Sequence, residues 1–179
     1  MSDREIMEIY RSGAQEQAFN LIVKKYGERL YWHIRRFTCS HEDTDDLLQE
    51  TFTKIWTALP SFREDARLFT WIYRIATNES LNYLRKRKNR LLFSSGNIIE
   101  DMEKRIDSDP YFNGNELQRI LMKSIQKLPD KQKTVFTMRY FDELSYDEIS
   151  EITGNSVGSL KASYHLAYKK IKSAIENGQ

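Results

Sequence analysis

Residues 145–171 read SYDEISEITGNSVGSLKASYHLAYKKI. Ser145 followed three residues later by Glu148 is a capping box, which predicts a helix start. Ile149 and Ile152 give that short helix an inward face. Gly154 falls just beyond it, where a left-handed C-cap favours glycine. Ser156 is placed to cap a second helix, whose inward side carries Val157, Leu160, Tyr164, Ala167 and Ile171. Two short helices joined by a glycine turn make the helix-turn-helix, in which the second helix enters the major groove of duplex DNA. From Gly154 to Ile175 there are four lysines and no acid, a balance that suits a phosphate backbone. A plain helical hairpin with a solvated lysine face has the same pattern, so the motif alone does not decide between the two.

Working outward, the hydrophobic period is helical almost throughout. Leu117, Ile120, Leu121, Ile125 and Leu128 form a stripe stopped at Pro129, and a further helix is expected over 130–141 with Val135, Phe136 and Tyr140 inward. Upstream, Phe19, Ile22, Val23, Tyr26 and Leu30 share one face. Leu47, Leu48, Phe52, Ile55, Trp56 and Leu59 share another, ending at Pro60. A third stripe runs through Leu68, Phe69, Ile72, Ile75, Ala76 and Leu84. No strand pattern stands out. Between them, residues 91–115 contain Ser94-Ser95-Gly96-Asn97, Asp107-Ser108-Asp109-Pro110 and Asn113-Gly114-Asn115, which are turn and breaker signals. A short helical piece is expected near 98–106, and acids concentrate there. The stretch is too long for an ordinary loop inside a compact domain. The expected fold class is therefore all-α: an N-terminal helical bundle over 5–90, a flexible linker over 91–115, and a C-terminal four-helix domain with the helix-turn-helix over 116–177.

The chain has 179 residues, with 30% charged, 40% hydrophobic and a net charge of +2. That suits small amphipathic helical units better than one deep core. Cys39 is the only cysteine, so no intramolecular disulfide can form, which fits a reducing cytosol. The N-terminus lacks the apolar run of a signal peptide, and no stretch approaches a membrane span. A cytoplasmic protein without membrane insertion is expected. No P-loop, nucleophile–base pair or zinc ligand set is present, and Cys39 with His41 supplies only two ligands. Neither an enzyme nor a metal or other cofactor is expected.

Two constellations in the N-terminal half sharpen the reading. Glu42, Asp43, Asp45, Asp46, Gln49 and Glu50 open the second helical stripe. Acids offset a helix dipole at its N-terminus, but one or two suffice. Asp46, Gln49 and Glu50 at helical spacing suit a basic protein partner. Downstream, Phe69-Thr70-Trp71-Ile72-Tyr73-Arg74 leads to Asn78, Asn82, Tyr83 and the basic run Arg85-Lys86-Arg87-Lys88-Asn89-Arg90. Aromatic rings interleaved with cations are what single-stranded nucleic acid needs, since bases stack on rings while cations follow the backbone. Phe69 reads as core. Trp71 lies off the strict inward stripe and reads equally as core or as base-facing.

Together these segments resemble the extracytoplasmic-function (ECF) group of sigma factors over about 14–88 and 116–175. Asp45-Asp46-Leu47-Leu48-Gln49-Glu50-Thr51-Phe52 is similar to the family's polymerase-binding helix. Phe62-Arg63-Glu64-Asp65-Ala66, with 69–76, resembles its promoter-melting segment. Leu144–Ile149, with Ser156–Lys161, resembles its helix-turn-helix. The resemblance implies that Asp45, Asp46, Gln49 and Glu50, supported by Phe52 and Trp56, engage the clamp coiled coil of the largest subunit of core RNA polymerase. It implies that the loop 61–67, with Phe62 and Arg63, captures a flipped base of the minus-ten element beside Asn78 and Asn82. Trp71 and Arg74 would hold the opened strand, and Arg85, Lys86, Arg87 and Lys88 the upstream backbone. On the recognition helix, Lys161, Ser163 and His165 would contact bases of the minus-thirty-five element, and Ser156, Ser159 and Lys169 its backbone. Promoter DNA and an anti-sigma factor that masks both domains are the implied further partners.

The sequence departs from the family where many members carry arginines, at Ser163, Leu166 and Tyr168. Arginine is the usual bidentate reader of guanine. Leu166 and Tyr168 read alternatively as an apolar surface for a protein. Other classes fit less well. A helix-turn-helix regulator that is not a sigma factor, such as a response regulator, calls for an N-terminal receiver with alternating strands. A pure protein adaptor would not lose duplex affinity with rising salt.

Overall fold

The longest helix, α4 (Leu68–Phe93), is the spine of the molecule: 26 residues, or about 39 Å at 1.5 Å per residue. Leu68, Ile72, Tyr73, Ala76, Thr77, Ser80 and Leu84 turn inward along it and are buried. The computed structural model describes residues 1–63 and 65–178, and every regular element among them is helical. Glu64, part of the loop motif quoted above, lies outside the described residues.

Before α4 come α1 (Asp3–Arg11), α2 (Gln15–Thr38) and α3 (His41–Ala58). The sequence stripes begin only at Phe19, yet α1 is a full helix. Ser2 caps it reciprocally with Glu5, and Ile6 and Met7 are buried against the bundle. α2 ends at Cys39, which takes a left-handed φ of 52° and lets the chain reverse into α3. Burial pushes the Cys39 thiol up to about 12, so it is an inert packing group. Ser40 caps α3 by accepting from the Asp43 amide.

The stretch read as a linker carries α5 (Ile98–Ser108), capped by Asn97. Its apolar pair Met102 and Ile106, one turn apart, is buried. Both ends of α5 are tied down in this structure. Asp101 takes a two-point hydrogen bond from Arg87 of α4 at 2.6 and 2.7 Å. Asp107 meets Arg119 and Lys123 at 2.6 and 2.7 Å. The short helical piece expected near 98–106 thus forms, bounded by the breakers at Gly96, Pro110 and Gly114.

The C-terminal part comprises α6 (Glu116–Gln126), α7 (Asp130–Phe136), α8 (Tyr146–Thr153) and α9 (Val157–Glu176). α7 widens into a π turn over Thr137–Phe141 that delivers Asp142 to α2. The helix-turn-helix forms as its caps dictate. Ser145 and Glu148 cap each other across the start of α8, Gly154 sits at φ 76°, and Ser156 accepts from the Ser159 amide to open α9.

The two parts share their interior. One apolar cluster joins Ile6, Ile22, Leu30, Ile55, Ile72 and Ala76 to Val135, Met138, Leu144, Ile149, Ile152 and Leu160 of the C-terminal part. A second joins Phe37 and Leu84 to Met102 and Ile106 of α5 and to Ile125, Phe136, Ala167 and Ile171. Ile72→Ala should therefore cost about 2–5 kcal/mol and loosen both parts at once. Amide exchange in α8 should accelerate together with that in α2, and acceleration confined to α2 would show that the parts are stabilised separately.

Candidate nucleic-acid interface

The outward face of α9 follows from its caps and its inward row. Leu160, Ala167 and Ile171 are buried, which leaves Lys161, Ala162, His165, Leu166, Lys169 and Lys170 exposed. Ser163 departs from its expected outward position. It is only 9% exposed, because it falls three residues after Leu160 and four before Ala167, on the packed side. That burial removes it from the base-reading set. Ser156 and the half-buried Ser159 sit at the helix start, and the Ser159 hydroxyl accepts from Lys131 at 2.5 Å. Lys161 lies 5.8 Å from the centre of the Tyr146 ring.

On α3, Asp46, Gln49 and Glu50 are exposed side by side, and Asp45 is half-buried near His41 at 3.4 Å. Asp43 is not part of this free face. It accepts from Tyr83 at 2.6 Å and pairs with Arg105 of α5 at 2.7 Å. Burial works to raise its pKa, but these two hydrogen bonds prevail and hold the carboxyl below the usual range. Phe52 and Trp56 flank the acidic face from the next turns, each edge-on to Phe19 at 6.2 and 5.0 Å. Trp56 remains 40% exposed.

The aromatic-basic helix α4 is partly occupied. Trp71 is half-buried and packs on Phe62 at 5.0 Å, which makes one aromatic wall beside the exposed Arg63. Arg74 is taken by the C-terminal end of α8, donating to the carbonyls of Ile152 at 3.2 Å and Glu151 at 2.5 Å. A guanidinium there satisfies carbonyls that the helix cannot satisfy itself. At the start of α4, Arg67 and Thr70 both donate to the Glu151 carboxylate, at 3.0 and 3.1 Å. Asn78, Lys86 and Lys88 are exposed. Arg85 donates to Asn82 at 3.1 Å, and Arg87 is committed to Asp101. The structure thus keeps Asn78, Arg85, Lys86 and Lys88 on an open face, and turns Arg74 and Arg87 toward other parts of the same chain.

The residues that hold this closed arrangement escaped the sequence reading. Asp142 is the centre. Its side chain is 3% exposed and meets His33 Nδ1 at 2.7 Å and Arg36 at 3.2 Å, while its carbonyl accepts from Arg29 at 2.9 Å. On the other side of the ring, His33 Nε2 lies 3.0 Å from the Thr77 hydroxyl. That hydroxyl also donates to the Tyr73 carbonyl at 2.7 Å, which ties the ring to α4. Burial lowers the Arg36 pKa and the Asp142 charge opposes the shift. These contacts span 106–113 residues, and no local pattern announces them.

Burial ranks the contacts between the two parts. Arg67 and Glu151 are each about half-exposed, and such a pair is worth roughly 0–1 kcal/mol. Removing one partner of a buried, hydrogen-bonded pair costs about 3–5 kcal/mol. Asp142→Ala, which strands His33 and Arg36, should therefore open the molecule. Small-angle scattering should show a larger radius of gyration for it than for wild type, and Glu151→Ala should change the radius little. Equal radii for all three proteins would remove Asp142 from this role.

A two-part helical molecule with a capped helix-turn-helix, an acidic helix and an aromatic-basic helix fits a transcription factor that reads promoter DNA. Residues 22–90 match the family model "Sigma-70 region 2", and residues 118–171 match "Sigma-70, region 4". The ECF RNA polymerase sigma-E factor of Haemophilus influenzae is 32% identical over 98% of this chain and 96% of its own length. That of Escherichia coli strain K12 is 31% identical over 98% and 95%. Among solved structures, CnrH in complex with the cytosolic domain of CnrY superposes with a TM-score of 0.74 at 23% identity, covering 100% of both chains. The sigma factor RpoE in complex with the anti-sigma factor NepR from Bartonella quintana gives 0.71 at 20%, covering 88% of this chain and 96% of that one. The chain belongs to the ECF sigma factors of the sigma-70 family, initiation factors rather than enzymes, which direct RNA polymerase to promoters. No helix among the described residues is long and apolar enough to cross a membrane.

Proposed function

We propose that residues 5–90 bind core polymerase and open the minus-ten element, that 116–177 read the minus-thirty-five element, and that 91–115 join them in a cytoplasmic factor whose closed form precedes loading. The observation that carries this is the seat of α8 on α4. The two promoter elements are named for centres about 25 base pairs apart, or roughly 85 Å at 3.4 Å per pair. Helices that touch through Arg74 and the α8 carbonyls cannot serve both elements at once. The working form must therefore be opened, and the polymerase surface is the agent that holds the two parts apart. Runoff transcription from genomic promoter fragments, with core polymerase alone and with this protein added, tests the reading as a whole. Initiation that is no greater with the protein than without it rejects the reading.

Two assignments are testable separately. Asp46, Gln49 and Glu50 form the exposed acidic face offered to the basic clamp, with Phe52 and Trp56 beside it. Exposed charges act chiefly on encounter rate and are screened by salt. Asp46→Lys together with Glu50→Lys should lower the association rate with core polymerase at least tenfold at low salt and leave the melting temperature within about two degrees of wild type. Unchanged association kinetics would sink this assignment. For strand opening, Trp71→Ala should abolish permanganate reactivity of minus-ten thymines while polymerase binding persists, since stacking supplies about 1–3 kcal/mol per base. Normal reactivity would leave Trp71 as the structural partner of Phe62 alone.

An anti-sigma factor is the further proposed partner. An apolar cleft of about 720 Å³ opens between the parts, lined by Trp32, Tyr111, Leu117, Tyr140, Tyr168 and Ile175. Tyr111, Leu117, Tyr140 and Tyr168 are each at least half-exposed there. An amphipathic helix laid into such a cleft buries its apolar face, which supports the reading of Tyr168 as a protein-binding rather than a DNA-binding side chain.

A further inference from the structure

Most of the large apolar side chains left in water around the C-terminal part line the cleft, but Leu166 does not. It is 48% exposed, belongs to neither apolar cluster, and stands on the outward face of α9. Ala162 is exposed one turn before it on the same row. The neighbouring row holds Lys161, His165 and Lys169, all exposed, and no acid lies between Gly154 and Ile175. Two apolar groups are thus set in the middle of a basic strip, outside both apolar clusters. The strip is charged to lie on phosphate, so what the apolar pair meets is whatever lies between the two phosphate backbones.

In the major groove that is the base edge, and thymine alone presents a methyl group there. The helix carries no arginine, the usual bidentate partner of guanine, so its outward chemistry is weighted toward lysine and aliphatic carbon. We propose that Ala162 and Leu166 read the C5-methyl groups of thymines in the minus-thirty-five element, while Lys161 and Lys169 hold the flanking phosphates. This rests on the reading of α9 as the minus-thirty-five recognition helix. Four residues of helix advance about 6 Å, close to two base-pair steps, so the two thymines lie about two steps apart where the helix axis follows the groove.

Replacing a thymine by uracil deletes the methyl group and leaves the pairing edge intact. Holoenzyme reconstituted from core polymerase and the full chain is first used to select binding sites from a duplex library randomised across the minus-thirty-five region. Each thymine of the selected duplex is then replaced singly by uracil. About fourfold weaker binding is expected at two positions, the worth of one buried methyl group each. With Leu166→Ala the penalty should vanish at one of these positions and persist at the other. The side chain is exposed, so the melting temperature should not change. Uracil tolerated everywhere by wild type, or the same penalty retained by Leu166→Ala, overturns the methyl reading and leaves α9 as the recognition helix. Selection that enriches no upstream sequence overturns both together.

Discussion

The buried carboxylate of Asp142 is the constraint on which the arrangement turns. A charge taken out of water is costly unless it is paired and hydrogen-bonded. Asp142 belongs to the C-terminal part, but His33 and Arg36, which satisfy its side chain, both come from α2. The carboxylate can be buried only with the two parts together. The surrounding packing agrees, since Met138 and Leu144, on either side of the turn that presents Asp142, sit in the same apolar cluster as Ile22 and Ile72. The polar contact fixes one register and the apolar contact supplies area, and neither holds this geometry without the other.

What could be read in advance is what is encoded over a few residues. The capping box at Ser145, the glycine at 154 and the serine at 156 specify the helix-turn-helix locally, and the structure builds each cap as written. The polar set Asp46, Gln49 and Glu50 emerges exposed for the same reason, its spacing being that of one helix face. The start of α1 carried an equally local signal in Ser2 and Glu5, but so short a helix has little periodicity to draw attention to its cap. Ser163 shows the limit of a period drawn from apolar residues alone. The inward row was traced through Leu160, Tyr164 and Ala167, and a small hydroxyl can occupy the same buried side without any apolar mark. Contacts such as Arg74 with the α8 carbonyls, or His33 with Asp142, have no local signature because they pair residues 77–109 apart.

On the proposed reading, the closed arrangement and promoter recognition draw on the same groups. Arg74 was read as a ligand for the opened strand, yet here it terminates α8. Arg87 was read as a phosphate contact, yet here it holds Asp101 of α5. The intramolecular partners imitate nucleic acid in charge: two carbonyls at a helix C-terminus and a bidentate carboxylate. On that reading DNA displaces an internal acceptor before it gains either arginine. Among the acids gathered in residues 91–115, Asp101 pairs with Arg87, Glu103 with Lys127, Asp107 with Arg119 and Lys123, and Asp109 with Arg35.

A ligand shifts a two-state equilibrium only by its differential affinity for the two states. On the proposed reading polymerase holds the open form, and a helix in the cleft binds the closed form, since both parts build the walls. Trp32 and Arg36 come from α2, whereas Tyr140, Tyr168 and Ile175 come from the C-terminal part. The two partners then oppose each other without overlapping. A cleft ligand at one hundred times its dissociation constant adds about 2.7 kcal/mol against opening, and by reciprocity polymerase bound to the open form weakens the cleft ligand in turn. Neither Asp46 nor Leu166 has to be covered for promoter recognition to be blocked. The outward face of α9 can stay solvent-exposed in the inhibited protein, as it is here, because the distance between the two promoter elements already denies the closed form a second point of contact.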